Sequence, residues 1–194
     1  MALGSSQMKD KSRSSCPSRL SLRRLWRDRT GVSAIEFAFI FPVMIVVYMG
    51  AVDLSQVLTA DRKVTNLASS TADLVAQAEA VNAGALQDIF DAAAWIMEPF
   101  STAGLSIVVT SVVLDKDGNP EVAWSEAYNG SKRAKGSSVS LPDNLIETGG
   151  SVIMAEVRYQ YTSVLSKFVS DGFTLSDTFY LRPRRVQKIE FVQG

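Results

Sequence analysis

The fold class predicted by this sequence is α+β: a long N-terminal transmembrane helix continuing into an extracytoplasmic antiparallel β-sheet domain with one further helix. Three observations predict it. Val32 to Val52 is a run of 21 residues in which Glu36 is the only charge, and about 20 mainly apolar residues suffice to cross the hydrocarbon core as a helix. Beyond Asp53 the apolar residues recur at spacings of three and four, the period of a helix with one buried face. From Leu105 onward the chain changes to β-branched runs punctuated by turn residues, the pattern of antiparallel strands.

Residues 1 to 29 hold eight Lys or Arg (Lys9, Lys11, Arg13, Arg19, Arg23, Arg24, Arg27, Arg29) against Asp10 and Asp28, a net charge of +6. The remaining residues hold 12 basic and 18 acidic groups, a net of −6, so the overall zero conceals a basic head and an acidic body. Rich in Ser and Arg and poor in large apolar residues, the head reads as disordered. The positive-inside tendency keeps it in the cytoplasm and sends the body across. Charge alone would be the whole case for a nucleic-acid partner, so none is expected. A cleaved secretory signal fits poorly, because the apolar run exceeds the usual 7 to 15 residues and ends without an Ala-x-Ala site; Leu58-Thr59-Ala60 does not serve. The run reads as a retained anchor with the lipid bilayer as its surroundings.

The helix is expected to run from about Val32 to about Ala80. Its outer part carries Leu54, Val57, Leu58, Val64, Leu67, Ala68, Thr71, Leu74, Val75 and Ala78 as a stripe, with Asp53, Asp61, Arg62, Lys63 and Asp73 elsewhere. That stripe suits packing on the domain's own sheet or on other subunits. Gly50 is a weak point. Asn82 and Gly84 break the pattern, and Leu86 to Met97 restarts it with Leu86, Ile89, Phe90, Ala93, Ala94 and Met97 on one face. Glu98-Pro99 ends this second helix, since the residue before Pro disfavours the α region. The expected organisation is a basic cytoplasmic leader (1–31), a transmembrane helix (32–52), its extracytoplasmic extension (53–80) and a small α+β domain (81–194).

Leu105 to Leu114 reads as a strand, Asp115 to Pro120 as a turn and Glu121 to Tyr128 as the return strand. Asn129 to Ser140 is Gly, Ser and Lys rich and reads as a plain surface loop. Ser151 to Thr162 is a further strand, with Arg158 on the opposite face from Tyr159 and Tyr161. Val164 to Val169 suits a short helical turn. Phe173 to Leu181 begins a last strand, and Arg182-Pro-Arg-Arg185 suits an exposed edge, because Pro cannot donate to a ladder. Asp115, Asp117 and Asn119 alternate oxygen ligands as a calcium loop does, but Gly118 is not at loop position six, and Glu126, at position twelve, falls within a strand. A hairpin turn accounts for them better.

Glu36 is the residue that asks for a function. An acidic group at the membrane centre costs about 2.5 to 3.5 kcal/mol on insertion scales, and intramembrane ionisable groups are functional candidates. Were the chain cut after Gly31, Val32 would be residue one and Glu36 residue five, one turn apart on the same helix face. A new α-ammonium at Val32, with an unperturbed pKa of about 8, would then neutralise Glu36 or its equivalent on a neighbouring subunit. Uncut, the carboxylate sits near the cytoplasmic face, where it snorkels or stays protonated. Pro42 frees the carbonyl of Ala38 and offers a helix kink.

The run Gly31-Val-Ser-Ala-Ile-Glu36-Phe37-Ala-Phe-Ile-Phe-Pro42 resembles the processing site of type IV prepilins and, more closely, the start of the TadE family of pilin-like proteins. These belong to the bacterial tight-adherence (Tad/Flp) pilus machinery, and their pattern is roughly Gly-x-x-Ala-Val-Glu-Phe-Ala, then apolar residues, then Pro. The resemblance implies cleavage between Gly31 and Val32 by a prepilin peptidase, subunit docking through Glu36 and Phe37, and a pilin-like fold. It implies a minor pilin or pseudopilin that takes part in pilus assembly and hence adhesion. The expected partners are the peptidase, other pilin-like subunits and the Tad inner-membrane machinery. The implied setting is the bacterial inner membrane, single-pass, N-terminus cytoplasmic and C-terminal domain periplasmic.

Catalysis finds little support. Histidine is absent, which removes Ser-His-Asp and Cys-His chemistry and most zinc sites. Cys16 is the single cysteine and lies in the basic head, leaving the domain without a disulfide. No Gly-rich phosphate loop or paired carboxylate stands out. The protein is therefore expected not to be an enzyme, and no cofactor or metal is anticipated. The other reading is an uncleaved, single-pass anchor carrying an extracytoplasmic binding or enzymatic domain.

Overall fold

The structure is a computed structural model that describes residues 30–142, 145–146, 149–163 and 172–192. The expected disordered leader, Cys16 and the helical turn at Val164–Val169 lie outside the described residues. The chain divides into two units, one up to Val47 and one from Tyr48.

Helix α1 is continuous over Thr30–Ala76, with Pro42 inside it. Proline deletes one hydrogen bond, to the carbonyl four residues back, and the helix runs through this loss without a break. In the first unit every side chain from Val32 to Val47 is exposed, and the most apolar 18-residue window of the helix, with mean hydropathy 2.2, has none of its residues buried. An exposed apolar helix of this length is a membrane span by length and composition.

In the second unit, α1 turns amphipathic and packs on a sheet. Ala60, Val64, Leu67, Ala68, Thr71, Ala72, Val75 and Ala76 are buried at spacings of one, three and four. Four of these are Ala, and small side chains let the helix lie close to its neighbours. The buried stripe is narrower than the expected one: Leu54, Leu58 and Leu74 face outward. The helix also ends four residues early. Arg184 N–H donates to Ala76 O at 2.9 Å, and Ala80–Val81 is drawn off as a short strand, β1, paired in parallel with Glu190–Phe191.

Asn82 then caps helix α2, Ala83–Ala94, its Oδ1 accepting from Ala85 N–H at 2.8 Å; a side-chain acceptor at this position satisfies a donor the helix cannot. A 3-10 turn, Trp95–Met97, finishes it before Pro99. The predicted apolar face holds, with Leu86, Phe90, Ala93, Ala94 and Met97 buried.

The main sheet has four antiparallel strands: β2 (Leu105–Leu114), β3 (Pro120–Tyr128), β4 (Ser151–Tyr161) and β5 (Phe173–Leu181). Their order is β3-β2-β4-β5. The β2–β3 turn is held by Asp115, whose Oδ1 accepts from the N–H groups of Asp117 and Asn119, both at 2.8 Å. The Asn119 backbone N–H is the main influence holding the Asp115 carboxyl below its ordinary pKa. A bulge near Ser111/Val112 shifts the β2–β3 register. On one face Ile107, Val109, Trp124, Ile153, Ala155, Val157 and Tyr159 meet α1 and α2 in a common core. As the alternation required, Arg158 is exposed while Tyr159 and Tyr161 are buried.

The second face adds to one expectation. The Asn129–Ser140 stretch is the mostly exposed surface loop expected, but it is tied down on the sheet at two points. Val139 is buried with Val112, Val122 and Met154. Arg133 clamps Glu156 with Nε at 3.1 Å and Nη2 at 2.9 Å, and its N–H donates to the buried Ser125 Oγ at 3.2 Å.

Candidate functional site

Gly31, Val32, Glu36, Phe37 and Pro42 all fall on the first turns of α1, because an apolar run with no competing turn signal before Pro42 favours an unbroken helix. From Gly31 to Pro42 the axial rise is about 16 Å. Val32, Glu36 and Ile40 follow one another at i, i+4 on one face. Phe37 and Phe41 form a second row beside it, their rings 5.3 Å apart and tilted by 35°. Phe37 is 64% exposed. Among the described residues Glu36 has no ion-pair or hydrogen-bond partner. This surface therefore presents a single carboxylate beside an aromatic pair, all of them exposed. Chemically it offers charge neutralisation and apolar contact. Among the described residues no group of three His, Cys, Asp or Glu side chains is placed to hold a metal ion.

A second feature was not foreseen. Asp53, the first charge after the apolar run, is the acceptor of a two-point clasp from the end of β4. Tyr161 Oη donates to its Oδ1 at 3.1 Å, and Ser163 Oγ donates to its Oδ2. Burial, helped by the Asp53 carboxylate, pushes the Tyr161 hydroxyl up to about 12. The partners lie 108 and 110 residues apart in sequence, so no local pattern announced them; the only signal was a carboxylate placed where the anchor ends. Two more ties hold the C-terminal segment, the first of them to the other end of the extension. Arg184 pairs with Asp73 at 2.5 Å, beside its backbone bond to Ala76. Trp124 Nε1–H reaches Ile189 O at 2.9 Å.

Fold and surface together define a class: an α+β domain built on the distal half of a helix whose proximal half is an exposed, membrane-spanning anchor. Within that class the helix, and not the sheet domain, is similar to a known family. A family model described as TadE-like protein matches residues 31–73. The match opens on Gly31, takes in Glu36, Phe37 and Pro42, and closes at Asp73 within α1, leaving α2 and the sheet outside it. No curated protein and no solved structure matches this chain.

Proposed function

We propose that this protein is a minor pilin or pseudopilin-like subunit that takes part in assembling a Tad/Flp type IV pilus and is cleaved after Gly31 by a prepilin peptidase. The observation that carries the reading is the TadE-like segment of residues 31–73, opening at Gly31 on a wholly exposed apolar helix. Cleavage makes Val32 the first residue of the helix. Its α-ammonium, titrating near pH 8 when unperturbed, then lies one turn from Glu36 and within reach of a neighbouring subunit's carboxylate. The helix N-terminus itself favours an anion in its first turn. Phe37 and Phe41 supply apolar contact beside the charge, and Pro42 supplies a place for the helix to bend. The basic leader remains in the cytoplasm and the sheet domain lies on the periplasmic side of the inner membrane. Partners are the peptidase, other pilin-like subunits and Tad membrane components. The TadE-like family is not an enzyme family, and the work assigned here is docking and assembly.

The test is intact mass and N-terminal sequencing of membrane-extracted protein from cells with and without their prepilin peptidase. A peptidase-dependent N-terminus at Val32 is the expected result. A chain that keeps residues 1–31 in both strains overturns processing and leaves an uncleaved anchor carrying a periplasmic domain of other function.

A further inference from the structure

The end of the sheet domain that clasps Asp53 has an unusual surface. Gathered there are the helix turn 52–58, the segment 100–105 leading into β2, the end of β4 with residues 159–163, and the start of β5 at 172–175. Tyr161 brings them together: it donates to Asp53 and pairs in register with Phe173. In these four segments Asp53 is the only charged residue, and both of its oxygens are already engaged by Tyr161 and Ser163. The remaining polar groups are uncharged, such as Thr174 Oγ1, which donates to Gln160 Oε1 at 2.7 Å. Large apolar side chains nevertheless face outward at this end: Leu54 is 60% exposed, Leu58 53% and Phe173 50%. Phe173 is thrown there by Gly172, whose φ of +103° and approach to the Tyr161 carbonyl leave no room for a side chain.

We propose that this end of the domain is a membrane-interface surface, with Leu54, Leu58 and Phe173 seated among the lipid headgroups of the leaflet the helix leaves. The inference rests on reading the apolar helix as a membrane anchor and adds a second lipid contact to it. Continuity argues for lipid as the occupant. Tyr48 and Val52, exposed and apolar-faced, lead without a break in the helix to Leu54 and Leu58, and exposed Tyr is a residue of the interface. The headgroup zone adds about 5 to 8 Å on each side of the hydrocarbon core. Leu58 lies five residues past Asp53, an axial rise of about 7.5 Å, which keeps it inside that zone. Exposed Trp95 is excluded by the same measure. Its neighbour Ile96 is bonded through its carbonyl to Lys63, ten residues past Asp53 and about 15 Å along the axis. Freedom from charge is what such a surface requires, since a charge pressed against lipid must be neutralised or snorkel away.

The test uses the full chain with Cys16→Ser and one new cysteine at a time: Ile45→Cys, Leu58→Cys, Phe173→Cys or Lys116→Cys in the β2–β3 turn. Each carries an environment-sensitive fluorophore and is reconstituted in phosphatidylcholine–phosphatidylglycerol vesicles, with and without nitroxide lipids. Ile45, Leu58 and Phe173 labels are expected to shift to shorter wavelength and lose intensity to the nitroxide, with the shallow nitroxide acting on the last two, while the Lys116 label does neither. Quenching at Ile45 alone overturns the interface proposal and leaves the anchor standing. No quenching at Ile45 overturns the anchor and the proposal with it. Labels at Leu58 and Phe173 that escape the nitroxide but become shielded from aqueous iodide as protein density rises show a second copy of the chain as the occupant, and also overturn it. All four labelled positions are exposed, and an unchanged near-ultraviolet dichroism spectrum verifies the fold of each labelled chain.

Discussion

Replacing Asp53 with Ala should loosen the sheet domain from its helix by about 2 to 4 kcal/mol. The substitution deletes the acceptor of two hydrogen bonds, one from Tyr161 Oη at 3.1 Å and one from Ser163 Oγ. Hydrogen bonds to a charged partner contribute roughly 1.5 to 3 kcal/mol, and a buried donor left unsatisfied costs about 1 to 3 kcal/mol. Tyr161 is 3% exposed and Ser163 6%, so water cannot readily replace the lost acceptor at either hydroxyl. The lower half of the summed range applies because Asp53 itself is only half-buried and its hydration is recovered in part. The assay is urea unfolding of the full chain in non-ionic detergent, followed by near-ultraviolet dichroism and by the fluorescence of buried Trp124. With a urea m-value of about 2 kcal/mol/M for a domain of this size, the midpoint should fall by about 1 to 2 M. Tyr161→Phe keeps the ring and removes one donor, so it should cost about 1 kcal/mol. The double mutant should be less destabilised than the two changes added, with a coupling of at least about 0.5 kcal/mol. An Asp53→Ala midpoint within 0.25 M of the parent (about 0.5 kcal/mol at that slope), or strict additivity with Tyr161→Phe, refutes the clasp as a source of stability.

Raising the pH offers a second view of the same group. Because the folded-state value of Tyr161 stands above its unfolded value of about 10, its contribution is complete below pH 10 and is lost as pH rises towards about 12. Two pKa units correspond to at most ~2.7 kcal/mol; discounting for solvent near the clasp, urea midpoints between pH 9.5 and 11.5 should reveal about 1 to 2 kcal/mol in the parent and a flatter profile in Tyr161→Phe. Gly172→Ala should destabilise by about 1 to 3 kcal/mol, because the added Cβ would meet the Tyr161 carbonyl at a positive φ; a melting temperature equal to that of the parent would contradict this. Arg133→Ala should release the 129–140 loop from the second sheet face by removing the bidentate grip on Glu156, seen as faster tryptic cleavage at Lys132 and Lys135 with less than about 1 kcal/mol change in global stability.

What was legible in the chain was whatever neighbouring residues decide among themselves. The strands Leu105–Leu114 and Phe173–Leu181 were readable to the residue, since β-branched alternation bounded by Gly, Asp and Pro leaves little freedom. Asn82 was readable as a break, and the structure makes it the cap of α2. Distant partners decided the rest. Nothing between Ala76 and Ala80 stops a helix; Arg184 and the Glu190–Phe191 strand stop it. Leu54, Leu58 and Leu74 share a helical period with the buried residues, yet the sheet covers a narrower arc than the period allows. Composition makes 129–140 a surface loop, which it is, but one valine among Ser, Gly and Lys carries too little weight to announce that Val139 is buried on the sheet. That Glu36, Phe37 and Pro42 lie on one continuous helix was legible from the local apolar run, whereas the Asp53 clasp closes across more than a hundred residues.

The pairing of β1 with Glu190–Phe191 bears on when this protein becomes a protein. Ile189 is completely buried and receives the Trp124 indole bond, and Phe191 pairs with Val81 while stacking on Trp124. The core thus contains a part made long after the anchor. A ribosome adding about 5 to 20 residues per second needs roughly 7 to 28 s to go from Val52 to Phe191. Throughout that interval the apolar helix is complete and free to seek lipid, while the core still waits for Ile189 and β1 for its partner strand. Anchoring therefore precedes folding by many seconds, and any factor that shields exposed β-branched strands has that window in which to act.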